Sequence, residues 1–296
     1  WGDVIAFTGG AETAELIRNH PQVLSSGAQL NIEADSLNAT VLLENAKEET
    51  YDAFIRDVHR EMTQKSGQKC TATRRIFVPE KQLDSVIEDL SERLDQTCVG
   101  DPQQDGITMG PLSTPAQKEA ALHGLDTLQA EASIVYGHPT EGKCQTETSM
   151  EGAFIHPTLL CLNDGESGDA VHRVEVFGPV ATLIPYSGSA DDAADGVRKG
   201  NGCLVTSVYG DSRPQLKELI ENLAAWNGRL VITDSKVAEQ AYGPGMALPH
   251  LLHGGPGRAG GGEELGGVRG MRIYQQRTAI QGNGPLIARL LEIDSE

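Results

Sequence analysis

The sequence predicts an α/β protein built on a mainly parallel sheet. Two observations carry that expectation. Short apolar, β-branched runs alternate with amphipathic helical patterns along most of the chain, and strands separated in this way are joined by right-handed crossovers into parallel sheets. The chain has 296 residues, 39% of them hydrophobic but only 4% aromatic, with 34 glycines. That length supports one large or two ordinary domains, and the glycine content suits many tight turns.

The elements follow in order. Val4 to Phe7 reads as a strand, Thr8-Gly9-Gly10 as a turn and Ala11 to Asn19 as a helix. Leu30 to Leu43 reads as extended. Tyr51 to Lys65 is a helix with Phe54, Val58 and Met62 on one face, and Arg75 to Val78 is a strand ended by Pro79. Glu80 to Gln96 is a second helix, striped by Leu83, Val86, Ile87, Leu90 and Leu94. Pro115 to Glu131 is helical, Ala132 to Tyr136 a strand, and Gly137 to Glu151 a polar surface excursion. Phe154 to Leu162 is extended. Ala181 to Pro185, Leu204 to Tyr209 and Arg229 to Ile232 are strands, separated by helices at Ala190 to Lys199 and Pro214 to Trp226. Met271 to Gln281 alternates like an edge strand in need of a partner.

The formal net charge is −18, from 42 acidic and 24 basic residues. A field of that sign argues against nucleic acid and anionic membrane as partners. No apolar run reaches the length that spans a bilayer, and the start lacks the pattern of a signal peptide. The start, Trp1-Gly2-Asp3, runs straight into a strand and reads as the middle of a domain. Five cysteines (Cys70, Cys98, Cys144, Cys161, Cys203) stand at wide, irregular spacings. The expectation is a reducing, cytoplasmic setting without disulfides and, with no metal-ligand spacing in sight, no metal.

Cys70 is the candidate nucleophile. It follows Gly67-Gln68-Lys69 at the end of a helical run, with Arg74 and Arg75 close in sequence. Nearby positive charge favours the thiolate, and Gly67 would let the chain approach a substrate. By itself this pattern fits a buried, inert thiol better. The Thr8-Gly9-Gly10 turn before a helix is a candidate anion site, because free N–H groups and the positive dipole end point at it. His253 to Gly270 holds nine glycines in eighteen positions and reads as a flexible loop or as a backbone wall beside a ligand.

Six motifs in order give the chain a clear resemblance. They are Phe7-Thr8-Gly9, Gly67-Gln68-Lys69-Cys70, Val99-Gly100-Asp101-Pro102 with Met109-Gly110-Pro111-Leu112, Gly152-Ala153-Phe154-Ile155-His156-Pro157-Thr158-Leu159, Glu175-Val176-Phe177-Gly178-Pro179-Val180, and Asn227-Gly228. Together they resemble the aldehyde dehydrogenase superfamily over nearly the whole chain. Asn31 to Asn38 and His253 to Glu264 resemble its branch acting on CoA-linked semialdehydes of phenylacetate and benzoate ring cleavage.

The resemblance implies an aldehyde dehydrogenase-like fold. Residues 1–32 would close a dinucleotide-binding domain, 33–264 would form the catalytic domain, and 265–296 would carry an oligomerisation strand at Met271 to Gln281. It implies Cys70 as the nucleophile that forms a thiohemiacetal and then a thioester. Glu33 would be the base that activates water. Thr8, Gly9 and Gly10 would lie at the pyrophosphate, and Glu175 and Phe177 at the nicotinamide end of NADP (or NAD). The implied partners are an aldehyde, CoA-linked in this branch, and further copies of the chain. The family's usual Glu-Leu-Gly-Gly is here Glu33-Ala34-Asp35-Ser36, Gly10 replaces a Ser, and Ala14 replaces a Gly. Two other readings stand beside this one: a CoA-acylating dehydrogenase, and a non-catalytic assembly relative.

Overall fold

The computed structural model describes residues 4–142, 152–163, 168–240, 242–248, 250–264 and 267–292. The chain opens with β1 (Val4–Thr8), α1 (Ala11–Arg18), α2 (Pro21–Ser26) and β2 (Gln29–Glu33). β1 and β2 pair in parallel, with Thr8 opposite Glu33. This two-stranded sheet is separate from the main one.

Next come β3 (Ala39–Leu42), α3 (Glu48–Thr63), β4 (Arg75–Pro79), α4 (Leu83–Leu94), α5 (Pro115–Leu128), β5 (Ala132–Tyr136) and β6 (Thr158–Leu162). β7 (Val180–Tyr186), α6 (Ala190–Arg198), β8 (Cys203–Tyr209), α7 (Arg213–Leu223) and β9 (Asn227–Thr233) complete the central unit. The main sheet has seven strands in the order β5-β6-β7-β4-β3-β8-β9. All its neighbours are parallel except β5 with β6. The expected mainly parallel α/β architecture is therefore what the chain forms. The antiparallel edge strand β5 is a detail that the alternation alone did not show. Part of the predicted excursion, 143–151, lies outside the described residues.

Two apolar cores form because side chains alternate across a strand. Val41, Phe77, Ile184 and Val208 enter one core with α5, α6 and α7. Their chain neighbours Leu42, Ile76, Val78, Leu183 and Tyr209 enter the other with α3 and α4. The predicted stripe of α3 is buried at Phe54, Val58 and Met62. Caps fix the helix starts: the Thr114 side chain accepts from Gln117 N, and the Ser189 side chain from Asp192 N.

After β9 the chain forms the short antiparallel pair β10 (His253–Gly254) and β11 (Glu263–Glu264), then α8 (Gly267–Met271) and α9 (Gly284–Leu290). The strand expected at Met271 to Gln281 is not present: Met271 ends α8, and Arg272–Tyr274 is a 3-10 turn. A lone strand has no ladder to complete; here Met271–Tyr274 take up local helical bonds and 275–281 form no regular element.

The cysteine expectation also changes. Cys98 is disulfide-bonded, so the chain is not without disulfides, whereas Cys70 and Cys203 are free thiols. Wide sequence spacing says nothing about separation in a folded chain, and an S–S bond needs only a short Cα separation in space.

Candidate active site

The site forms where the carboxyl end of the β1–β2 pair meets the amino ends of β3, β4 and β7. Thr8 and Glu33 are the last residues of β1 and β2, Cys70 lies just before β4, and Glu175 and Phe177 just before β7. A cavity of about 560 Å³ opens there. Thr8, Gly9, Gly10, Glu33, Cys70, Glu175 and Phe177 all line it. The fold thus gathers all seven sequence-predicted residues in one place.

The Cys70 loop is built on an unusual backbone. Beyond α3, Lys65, Ser66 and Gly67 have φ of 53°, 55° and 69°. Two non-glycine residues in the left-handed region store strain, which the surroundings must hold in place. Ser66 Oγ donates to Gly110 O at 2.8 Å. Arg74, fully buried, donates from Nη2 to Gly67 O at 2.9 Å and from Nη1 to Gly178 O at 3.0 Å. Asn38 Nδ2 donates to Cys70 O at 2.7 Å and Ala72 O at 2.9 Å. A Cβ on Gly67 would fall 2.2 Å from Gly178 O. The glycine is there for that backbone crossing, not for approach to a substrate as the sequence suggested.

The positive charges around Cys70 also differ from the expectation. Arg75 points away, donating to Leu37 O, Val197 O, His172 and Cys203. Arg75 opens β4 and Arg74 is the residue before it, and adjacent residues of an extended chain send their side chains to opposite faces. Lys69 is paired with buried Glu61 at 2.8 Å. Arg74 and, unforeseen, Arg229 supply the guanidinium charge felt by Cys70.

The residue that sequence reasoning missed is His253. Its Nε2 lies 3.6 Å from Cys70 Sγ and 3.3 Å from Glu33 Oε2. The carboxylate oxygen is close enough for ion pairing but off the hydrogen-bond line, and Oε2 has no hydrogen-bond partner among the described residues. The contact with Cys70, then that with the Glu33 carboxylate, raises the His253 pKa to about 10, against the opposing effect of burial. His253 Nε2 thus stands between the Cys70 thiol and the Glu33 carboxylate. The only sequence signal for it was the glycine-rich segment that it opens. Gly254 lies at φ 146°, and an added Cβ there would fall 2.1 Å from Gly262 O, so the β10–β11 pairing requires glycine at this position.

The remaining candidates are already engaged. Glu175 accepts from Arg74 Nε at 3.4 Å and from Ser36 N at 3.3 Å. Burial raises its pKa, with Arg74 pulling the other way. Phe177 is partly exposed, with the Arg74 guanidinium 5.3 Å from its ring centre. Thr8 Oγ1 donates to Glu264 Oε1 at 2.7 Å. Ala11 N, in the first turn of α1, donates to Asp35 Oδ1 at 2.7 Å. A Cβ on Gly10 would meet nothing within 4 Å, so the turn presents an open face. A second cavity of about 480 Å³ lies on the other side of Glu33, lined also by His253, Leu248, Leu251 and Tyr274.

Comparison with known proteins agrees with the fold. Residues 2–279 match the aldehyde dehydrogenase family. The chain is 40% identical over 256 residues to the 3,4-dehydroadipyl-CoA semialdehyde dehydrogenase of Aromatoleum evansii, covering 86% of this chain and 50% of that protein. It is 42% identical over 183 residues to protein MaoC of Klebsiella aerogenes, covering 62% of this chain and 52% of that protein. Among solved structures, a betaine aldehyde dehydrogenase variant from Staphylococcus aureus in complex with NAD+ superposes with a TM-score of 0.78 at 22% identity, over 92% of this chain and 51% of that one. The succinic semialdehyde dehydrogenase of Streptococcus pyogenes, in complex with NADP+, gives 0.73 at 22% identity, over 88% of this chain and 52% of that one. The chain spans about half the length of the curated relatives it matches. The match of residues 2–279 takes in every strand of the main sheet and all seven candidate residues, and the chain belongs to the aldehyde dehydrogenase family.

Proposed function

We propose that the complete protein oxidises an aldehyde to its carboxylic acid with NAD or NADP, and that the aldehyde is a CoA-linked semialdehyde from aromatic-ring catabolism. The observation that carries this reading is the convergence of Cys70 and Glu33, 37 positions apart (70 − 33), on one cavity with the Gly9-Gly10 turn and Glu175. The name of the Aromatoleum relative supports the substrate class.

Cys70 Sγ attacks the carbonyl carbon, and its own backbone N–H helps hold the oxyanion of the thiohemiacetal. A dinucleotide held here would supply the hydride acceptor for oxidation of this adduct to the thioester. The open face of Gly10 and the Glu175–Phe177 wall fit the pyrophosphate and nicotinamide ribose of such a group. Glu33 then removes a proton from water, which attacks the thioester carbon and releases the acid and the Cys70 thiol. A base at position 33 favours water over CoA as acyl acceptor. We also propose that the complete protein is a homo-oligomer. Val268, Met271, Tyr274, Ile280 and Leu290 all expose apolar surface in the last segment, which fits a face covered by another copy.

The test is aldehyde-dependent NAD(P) reduction by the full-length protein beside Cys70→Ala and Glu33→Gln. The expected result is no hydride transfer in the first variant and a burst without turnover in the second. Full activity in either variant would falsify the assignment. Acyl-CoA formed from free CoA would replace hydrolysis with the acylating reaction. A Cys70 inert to iodoacetamide would favour the non-catalytic reading.

A further inference from the structure

We propose that Cys70, His253 and Glu33 form a zinc-binding site that reversibly switches the active site off. In sequence these residues show no metal-ligand spacing; the fold alone brings one ligand atom from each to within 4.8 Å of the others. The separations are 3.6 Å for Sγ to Nε2 and 3.3 Å for Nε2 to Oε2. A tetrahedral zinc ion with bonds of about 2.3 Å to sulfur and about 2.0 Å to nitrogen and oxygen has S–N edges of about 3.5 Å and N–O edges of about 3.3 Å. Two edges of the ligand triangle thus already have tetrahedral lengths.

A second observation points to a cation. Glu33 is 4% exposed, and its Oε2 has no hydrogen-bond partner among the described residues. Its neighbour His253 Nε2 lies 3.3 Å away, off the hydrogen-bond line, and a metal ion between the two would satisfy both atoms. The donors also select the metal. Thiolate and imidazole with one carboxylate suit zinc or cobalt and disfavour magnesium and calcium. Three protein ligands leave a fourth position for water, and the cavities on both sides of Glu33 have room for one.

The site is held ready by three separate anchors. Glu33 ends β2 in register with Thr8, the Cys70 carbonyl is held by Asn38, and His253 is paired with Glu264 across β10–β11. Binding is a ligand exchange without redox change. S–Zn and Nε2–Zn bonds form, and the protons carried by Cys70 Sγ and His253 Nε2 before binding pass to solvent. The nucleophile and the base are then occupied together. The site rests on this geometry and not on the proposed reaction.

The experiment uses full-length protein stripped of metal and titrated with Zn²⁺ and with Co²⁺. Expected are one ion per chain by equilibrium dialysis, a thiolate-to-cobalt absorption band, and protection of Cys70 from iodoacetamide that a chelator reverses. Cys70→Ser and His253→Gln should each weaken binding by about 100-fold, since loss of a ligand costs at least as much as loss of an outer-shell partner. Binding unchanged in His253→Gln, cobalt bound without the thiolate band, or no protection of Cys70 in the parent overturns the proposal. The protection experiment needs no variant, so it decides even if a substitution impairs folding. Zinc bound as expected by a protein that oxidises no aldehyde keeps the site and sinks the reaction; the reverse result does the opposite.

Discussion

Asp35 Oδ1 accepts a 2.7 Å hydrogen bond from Ala11 N, so a carboxylate occupies the N-terminus of α1 beside the Gly9-Gly10 turn. The same carboxyl group reaches Arg258 at 3.4 Å from its other oxygen. An anionic pyrophosphate at this turn meets a negative charge already in place. Repulsion of about 1 kcal/mol is the expected size for a partly screened pair of this kind. Asp35→Asn in the full-length protein should lower KM for the dinucleotide about fivefold and leave kcat within about twofold. Steady-state kinetics check this, and an unchanged or raised KM would show that Asp35 helps to hold the cofactor.

Gly67 should not tolerate a side chain. Its φ is 69°, and an added Cβ lies 2.2 Å from Gly178 O. Gly67→Ala should destabilise the protein by about 2–4 kcal/mol through strain and backbone displacement. Urea unfolding measures the loss. Because the same crossing positions the Cys70 loop, the alkylation rate of Cys70 should change with it.

Arg74 holds Gly67 O, Gly178 O and Glu175 with one fork. Lysine has a point charge and cannot serve all three. Arg74→Lys should cost about 3 kcal/mol, much of it from leaving Glu175 buried and poorly paired. The double variant with Glu175→Gln should then be less destabilised than the sum of the single changes. Additive losses in a double-mutant cycle would show that the two side chains are not coupled.

His172 should make the fold acid-sensitive. It is 5% exposed, and its Nδ1 accepts from Arg75 Nη1 at 2.9 Å. Burial first, then Arg75 and Lys199, push its pKa from 6.5 down to about 3. The unfolded chain therefore takes up a proton below about pH 6.5 that the folded chain refuses until about pH 3. The sign is a loss of stability as pH falls through that window, on the order of a few kcal/mol, with no change from this group above it. Unfolding midpoints of His172→Gln should vary less with pH between 6.5 and 3 than those of the parent. Parallel profiles for the two proteins would place the acid sensitivity elsewhere.

The main sheet was legible because its signal is local. The apolar runs of β4, β7 and β8 and the four-residue stripe of α3 are properties of short windows. The Cys70 loop was legible only as a motif, because its purpose is a contact between Gly67 and Gly178, which lie far apart in sequence. His253 was hidden for the same reason: it meets Cys70 across 183 positions, and nothing around it differs from an ordinary glycine-rich loop. Arg75 was misread because adjacency in sequence was taken for adjacency in space, whereas neighbouring strand residues face apart. At Met271 to Gln281 the alternation was real, but strand formation needs a second strand that the sequence cannot supply.

Glu33 forms part of the wall of both cavities. On the proposed reaction, the water-activating group borders two separate spaces. Cys70, the Gly9-Gly10 turn and the ribose-binding wall line the first alone, and Leu248 and Leu251 the second. The carboxylate that draws a proton from water thus touches a space that the dinucleotide's seat does not share.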